Sequence, residues 1–408
     1  MRKILPVLIL SLAVGLCVSV SKTPQKTSTP SFDYLDAQIK KELALKVKNF
    51  EFTHPMTVIN KAELDIVKQK IKNNTEPQAS AYKKLIEDAE AAQDFTPHPT
   101  EEIYMMGRYT KPYRNLDAVR KYLWANCHAA YASALAYSYC GDEKYADKAI
   151  EVLNAWAVKG SIFTGGDRGL QLGSWFSPML YAADLLYYYP GWEAQDKKKF
   201  KQWWRQNCLV HTYEIMYRKD NNWKDAGMLG VLSAAVVLED KELLLEAVTE
   251  LRSYFVERND DKVKMSGLWK IRKDDRGVYL PREVVRDVGR KGVTYTAYAL
   301  TTMVQAFEIA RYASFDFWHL ETPEGATIQE VIEWYFRWNI LEHEFPWRKS
   351  PNKSDKRYNC YEIANNHFTI MPEMAEWLSR NRPVVGREGD EYVTLNKGNI
   401  TPVSIKTP

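Results

Sequence analysis

The run AVRKYLWANCHAAYASALAYSY at residues 118–139, the break Gly141-Asp142, and the run EKYADKAIEVLNAWAV at 143–158 decide the fold. Apolar residues recur in both at helical spacing, as at Tyr145, Ala149, Val152 and Trp156, and the Gly-Asp pair punctuates them. The two runs therefore read as a helical hairpin. Working outward, the same pattern returns at 62–72 and 79–92, separated by Asn73-Asn74. It continues at 170–188, 194–217, 222–238, 241–257, 294–311, 328–341 and 361–380. The last of these is expected to bend or break at Pro372, because proline removes a helical hydrogen bond. Only 270–285 and 391–405 read as extended. The loop at 94–116 is long for a simple connection and is expected to line a site.

Many helices joined by short turns, with no fixed repeat, predict an all-α protein. The hairpins would curl into an incomplete or closed (α/α) toroid or barrel, since an open solenoid would show a constant period. The expected organisation is a signal peptide at 1–21, a flexible leader and first helix at 22–50, a helical-toroid catalytic domain at 51–385 and an extended tail at 386–408.

Arg2 and Lys3, a short apolar core from Leu5 to Val18, and small residues at Ser19 and Ser21 form a secretory leader. Leu16 is too bulky to precede a lipidated Cys17, so a periplasmic or secreted protein without a lipid anchor is expected. Nothing later is apolar enough to span a bilayer, and no membrane partner is expected. The formal charge of +4 is too mild to imply nucleic acid, and it falls by two when Arg2 and Lys3 are cleaved away. Cys127, Cys140, Cys208 and Cys360 lack zinc spacing and read as buried thiols. No His/Cys/Asp/Glu group has metal-ligand spacing. The 13 Trp and 25 Tyr serve either helix packing or a sugar cleft, and composition does not separate the two.

Three strings carry the chemistry: Asn221-Asn222-Trp223, Tyr295-Thr-Ala-Tyr298 behind a basic run, and Asn365-Asn366-His367. Removing a proton from the carbon beside a carboxylate requires three things. Donors must neutralise the carboxylate, a base must take the proton, and an acid must protonate the leaving oxygen. Amides, histidine and tyrosine meet those needs. One Asn of the first pair would cap the helix beginning at Trp223, which leaves Asn222 for function. Tyr298 shares a helical stripe with Thr301, Thr302 and Gln305, and Tyr295 shares one with Ala299, Met303 and Ala306. The polar stripe marks Tyr298 as catalyst and Tyr295 as a packing or substrate-binding residue. A tyrosine base needs nearby positive charge, for which Arg290 is the candidate, with Arg286 and Lys291 beside it. Trp223 and Asn366 complete the substrate-binding set. His128 reads as core.

These residues resemble the alginate lyase family of helical-toroid polysaccharide lyases, loosely from Phe52 to Arg380. The likeness rests on Val152-Leu-Asn-Ala-Trp156-Ala157, the Asn221-Asn222 pair and the helix start from Tyr295 to Leu300. The resemblance implies that Asn222 neutralises the substrate carboxylate and that a later tyrosine acts as base and acid. The chain departs from the family at Trp223, which stands where the family has histidine. His367 is a replacement candidate from elsewhere in the chain, and Arg290 is the nearest counterpart of the family's arginine. The local pattern of the motif favours Tyr295, whereas the polar stripe favours Tyr298.

The expected substrate is an acidic polysaccharide, and the chemistry needs no cofactor. In β-D-mannuronate and β-D-glucuronate the C5 proton and O4 lie on one side, so one tyrosine suffices. That favours mannuronate-rich alginate, with glucuronan as the alternative. A glycoside hydrolase would need paired carboxylates, for which Asp167, Asp225 and Glu362 are available. A non-catalytic glycan-binding protein is the remaining alternative.

Overall fold

The computed structural model describes residues 35–108, 110, 114–219, 221–255, 272–273, 279–280, 292–322, 325–343, 356–386 and 388–402. The leader and the basic residues Arg286, Arg290 and Lys291 lie outside them. The decisive run forms α4 (Arg114–Cys140), and its partner forms α5 (Glu143–Lys159), packed against each other. Asp142 caps α5 by accepting from the Lys144 N–H, while Gly160 ends it in a left-handed conformation (φ 67°). Val152, Leu153 and Trp156 are fully buried, so the hairpin signal is a core signal. Trp156 meets Phe163, Phe176 and Trp203 in an aromatic layer.

Before this hairpin come α1 (Ala37–Asn49), α2 (Lys61–Lys72) and α3 (Gln78–Ala91). After it come α6 (Arg168–Ser174), α7 (Pro178–Leu185), α8 (Ala194–Trp204), α9 (Val210–Arg218), α10 (Asn222–Leu238) and α11 (Lys241–Arg252). The series closes with α12 (Gly292–Tyr312), α13 (Ile328–Asn339), α14 (Asn359–His367), α15 (Pro372–Asn381) and α16 (Val393–Lys397). Short strand pairs complete it: β1 (Glu102–Tyr104) runs parallel to β2 (Ile162–Thr164), and β3 (Arg272–Lys273) pairs antiparallel with β4 (Tyr279–Leu280).

Several expected helices are divided. The one at 170–188 splits into α6 and α7 because Pro178 starts a new helix. The one at 194–217 carries a π-helical turn at Arg205–Leu209. The one at 361–380 breaks ahead of Pro372, as its ring requires.

The C-terminal stretch departs most from the sequence reading. Residues 391–405 were expected to extend, but Val393–Lys397 is helical and wholly buried. α16 packs on α2, α3 and α14, so the end of the chain meets its beginning. The tail is part of the body. Among the described residues no helix is long and apolar enough to cross a membrane. Cys127, Cys208 and Cys360 are buried, whereas Cys140 is exposed at the last residue of α4.

Candidate active site

α10 and α12 are the central pair, and their N-terminal ends meet α6. Asn221 is the N-cap of α10, its side chain accepting from the Trp223 N–H at 3.0 Å. Asn222 is buried in the first turn behind it. Gly173 lets α6 approach α10, since a Cβ there would lie 2.2 Å from the Ala226 carbonyl oxygen. That close approach places Leu170, Ala226 and Tyr298 in one buried cluster, with half-buried Trp223 against it. Lys219 lies 4.9 Å over the Trp223 ring.

The Tyr298 hydroxyl is 2.6 Å from the Ser174 Oγ. When Ser174 gives its proton to the Leu170 carbonyl, at 2.6 Å, Tyr298 is the donor in this bond. A rotation of the serine hydroxyl would reverse that bond and stabilise a phenolate. The Arg357 guanidinium lies 4.8 Å over the Tyr298 ring and is held by Glu388 through bonds of 2.7 and 2.8 Å. Arg120, from α4, donates to Gln171 at 2.8 Å and lies 5.8 Å over the Trp175 ring. Burial pushes the Tyr298 phenol above its ordinary value and Glu388 adds to this, while Arg120, Ser174 and Arg357 pull it down.

A tight glycine turn precedes α6. Gly165, at φ +89°, sits where a Cβ would fall 2.2 Å from the Met105 carbonyl oxygen, fixing the turn after β2 against residues 105–107. The turn leads into Asp167, whose Oδ1 accepts from the Arg108 N–H at 3.2 Å. The long loop at 94–116 therefore reaches the site through Arg108.

The third string goes elsewhere. The His367 Nε2 is 2.7 Å from the Glu308 Oε1, and its ring stacks on Trp318 at 4.1 Å. Glu308 lies ten residues beyond Tyr298 on α12, about 15 Å down the helix. Asn366 donates to the Lys397 carbonyl at 2.5 Å and accepts from the Ile400 N–H at 3.1 Å, so it fastens the C-terminal stretch. His367 and Asn366 are not brought to Tyr298.

The stripe argument also changes. Thr301, Thr302, Gln305, Ala299, Met303 and Ala306 are all buried, because α12 is packed on every side beyond its first turn. Tyr298 is 6% exposed, while Tyr295, one turn nearer the helix start, is only partly buried. Polarity could not separate the tyrosines on a helix with no solvent face.

Arg120, Ser174, Arg357 and Glu388 were missed. Arg120 carried one signal, a cation within a run otherwise rich in small and apolar residues. Nothing in the sequence joins Arg357 to Tyr298. His128, expected in the core, is half-buried and lies 2.7 Å from Glu391. It lines a cavity of about 220 Å³ with Trp124 and Tyr392, where the polar groups bond one another.

The three carboxylates available to a hydrolase are each bound to other groups. Asp225 accepts from Tyr254 at 3.0 Å, and Glu362 holds Arg382 through two 3.0 Å contacts. Asp167 stays with Arg108 and Gln171.

The sequence profile described as alginate lyase matches residues 67–347, more than half of the chain. The chain belongs to the alginate lyase family. It is a polysaccharide lyase, and the family implies an acidic polysaccharide as substrate. The lyase shares its fold with an alginate lyase from Bacteroides ovatus. They are 20% identical with a TM-score of 0.58, covering 86% of this chain and 97% of that one. Alginate lyase A1-III from Sphingomonas species A1 matches at 12% identity and a TM-score of 0.62, covering 85% and 99%. A tyrosine-to-phenylalanine variant of A1-III, complexed with a tetrasaccharide, matches at 13% identity and 0.63, covering 84% and 95%. At such identities the likeness carries the helical toroid fold alone. A search of curated sequences finds no match.

Proposed function

We propose that the lyase cleaves mannuronate-rich alginate by β-elimination, with Tyr298 as base and acid. Tyr298 takes the C5 proton, the electrons of that bond form the C4–C5 double bond, and the C4–O4 bond breaks. The same tyrosine returns the proton to O4, which is possible where both groups lie on one face of the sugar. The Asn222 amide and the Arg120 guanidinium neutralise the carboxylate as charge spreads into it. His367 has no part, because its ring is spent on Glu308 and Trp318. Tyr295 and Trp223 offer surfaces to the sugar. The charge assigned in the sequence to Arg290 is available to Tyr298 from Arg357 and Arg120.

One observation carries this reading: the Tyr298 phenol lies under Arg357 and against Ser174, with Trp223 beside it and Arg120 held on Gln171 of the same helix as Ser174. Its raised value means that the phenol is protonated at neutral pH, so turnover should climb through the alkaline range. Glucuronan meets the same stereochemical condition and is the second substrate to test. Purified protein given polymannuronate, polyguluronate and glucuronan should release ultraviolet-absorbing unsaturated ends from the first or third. Saturated reducing ends alone would refute elimination, and equal turnover of polyguluronate would refute the single-tyrosine geometry. Retention of the leader's function, export to the periplasm or medium, is proposed alongside and is checked by fractionating cells.

A further inference from the structure

We propose that Arg357 and Glu388 form a positioning pair for Tyr298, with Glu388 holding the guanidinium over the ring and moderating its charge there. The inference rests on Tyr298 being the reacting tyrosine, and it assigns the C-terminal stretch a part in the reaction.

The geometry is specific. Arg357 precedes α14, Glu388 follows α15, and both are buried, at 7% and 6% exposure. Two parallel bonds of 2.7 and 2.8 Å join Arg Nε and NH2 to the two carboxylate oxygens, which fixes the plane of the guanidinium. Its central carbon lies 4.8 Å from the centre of the Tyr298 ring. A cation over a phenol ring favours phenolate, and a carboxylate behind the cation opposes it. The pair can therefore set how readily the tyrosine gives up its proton without touching the sugar.

Among the described residues, the other polar groups named around Tyr298 have partners of their own. From α4 comes Arg120, shared with Gln171, and from α6 comes Ser174. On α10, Lys224 turns to Glu250 and Asp225 to Tyr254. Asp167 engages Arg108 and Gln171. Glu388 raises the Tyr298 phenol, second only to burial itself.

The test is the pH profile of kcat/KM on polymannuronate, or on glucuronan if that polymer is the one cleaved. Its ascending limb reports loss of the tyrosine proton. Glu388→Gln leaves the cation less compensated, and the limb should move to lower pH by about one unit. Arg357→Gln removes the cation, and the limb should move to higher pH by a similar amount. Arg357→Lys keeps the charge but loses the fork, so kcat should fall while the limb stays near the parent's. The double variant Arg357→Met/Glu388→Leu removes both charges from a buried pair, and its limb should fall between those of the single variants. Circular dichroism and thermal melting confirm folded material. If either single variant fails to fold, the double variant set against the remaining one decides the matter.

Opposite displacements support the proposal, because a merely structural pair would lower activity without moving the limb in two directions. Displacements in one direction, or none, overturn it. A Tyr298→Phe variant run beside them separates the two claims. If it is inactive and the limbs do not move, the positioning role alone fails. If it retains full rate, the assignment of Tyr298 fails first.

Discussion

The two ends of α12 hold nearly the same residue types and put them to opposite use. At one end Tyr298 faces Arg357, Arg120, Glu388 and Ser174. At the other, Tyr312 lies in a cluster of Glu63, Glu308, Arg311, Lys397 and His367. There Arg311 meets the two glutamates at 2.6 and 2.9 Å, and Lys397 meets them at 3.1 and 2.8 Å. Tyr312 donates to Glu63 at 2.7 Å. Burial and two carboxylates drive its phenol well above the ordinary value, so it remains a neutral donor. Tyr298 is also raised, by burial first and then by Glu388, while two guanidiniums and a rotatable hydroxyl act against the rise without cancelling it. Both phenols stay raised, so the difference lies in the direct partner: Tyr312 is tied to a carboxylate, whereas Tyr298 is bonded to a serine hydroxyl that can turn. The lower cluster ties α2, α12, α14 and α16 together, while the upper cluster is the one proposed to transfer the proton.

The largest effect that should separate the two ends is on turnover. Tyr298→Phe should lower kcat by about 10²–10⁴ with little change in melting temperature. Tyr312→Phe should leave kcat near the parent's and cost about 1–3 kcal/mol in urea unfolding, because Glu63 loses a buried donor. Equal kinetic damage from both would break the comparison.

Removing a charge from the lower cluster comes next. Lys397→Met leaves two buried glutamates short of a partner and should cost about 3–5 kcal/mol, with the KM of folded protein unchanged. Urea titration and steady-state kinetics read the two quantities separately.

The ends should also respond at opposite limits of pH. Burial pushes Glu63 and Glu308 up, yet Lys397 and Arg311 outweigh it at both, with His367 adding to the effect at Glu308, and both carboxyls are held below their ordinary value of 4.5. A carboxylate depressed in the folded state contributes stability above its unfolded value, and that stability is lost as pH falls through the folded value. Melting temperature should therefore drop as pH falls below about 4.5, while activity rises toward alkaline pH. The smallest effect concerns Trp223. Its replacement by Ala should raise KM about threefold to tenfold with kcat less affected, if the ring serves as a sugar platform.

Much of the scaffold was legible because helical periodicity is a local property. α4, α5 and α10 fall where their apolar spacing and caps place them. The C-terminal stretch was not legible, since Val393–Lys397 is helical through burial against α2, α3 and α14, which no local pattern announces. The site was legible in proportion to how local its members are. Asn221 and Asn222 could be separated into cap and candidate from the helix start alone. Tyr298 and Tyr295 could not, because the stripe argument assumes one polar face and α12 has none. His367 was read as a reagent because a histidine beside two amides is unfavourable in a helix. The structure gives another reason for the string, since Asn365, Asn366 and His367 each bind a partner on the C-terminal stretch or on α12. Arg357 and Glu388 reach Tyr298 through chain folding, and their spacing in sequence carries no trace of it.

The most direct measurement is the release of ultraviolet-absorbing unsaturated ends from polymannuronate by the parent, Tyr298→Phe and Tyr295→Phe at matched concentrations of folded protein. Release by the parent, retention of substantial activity in Tyr295→Phe and a loss of at least about a hundredfold in Tyr298→Phe would meet the prediction. Parental activity in Tyr298→Phe with loss in Tyr295→Phe would contradict it.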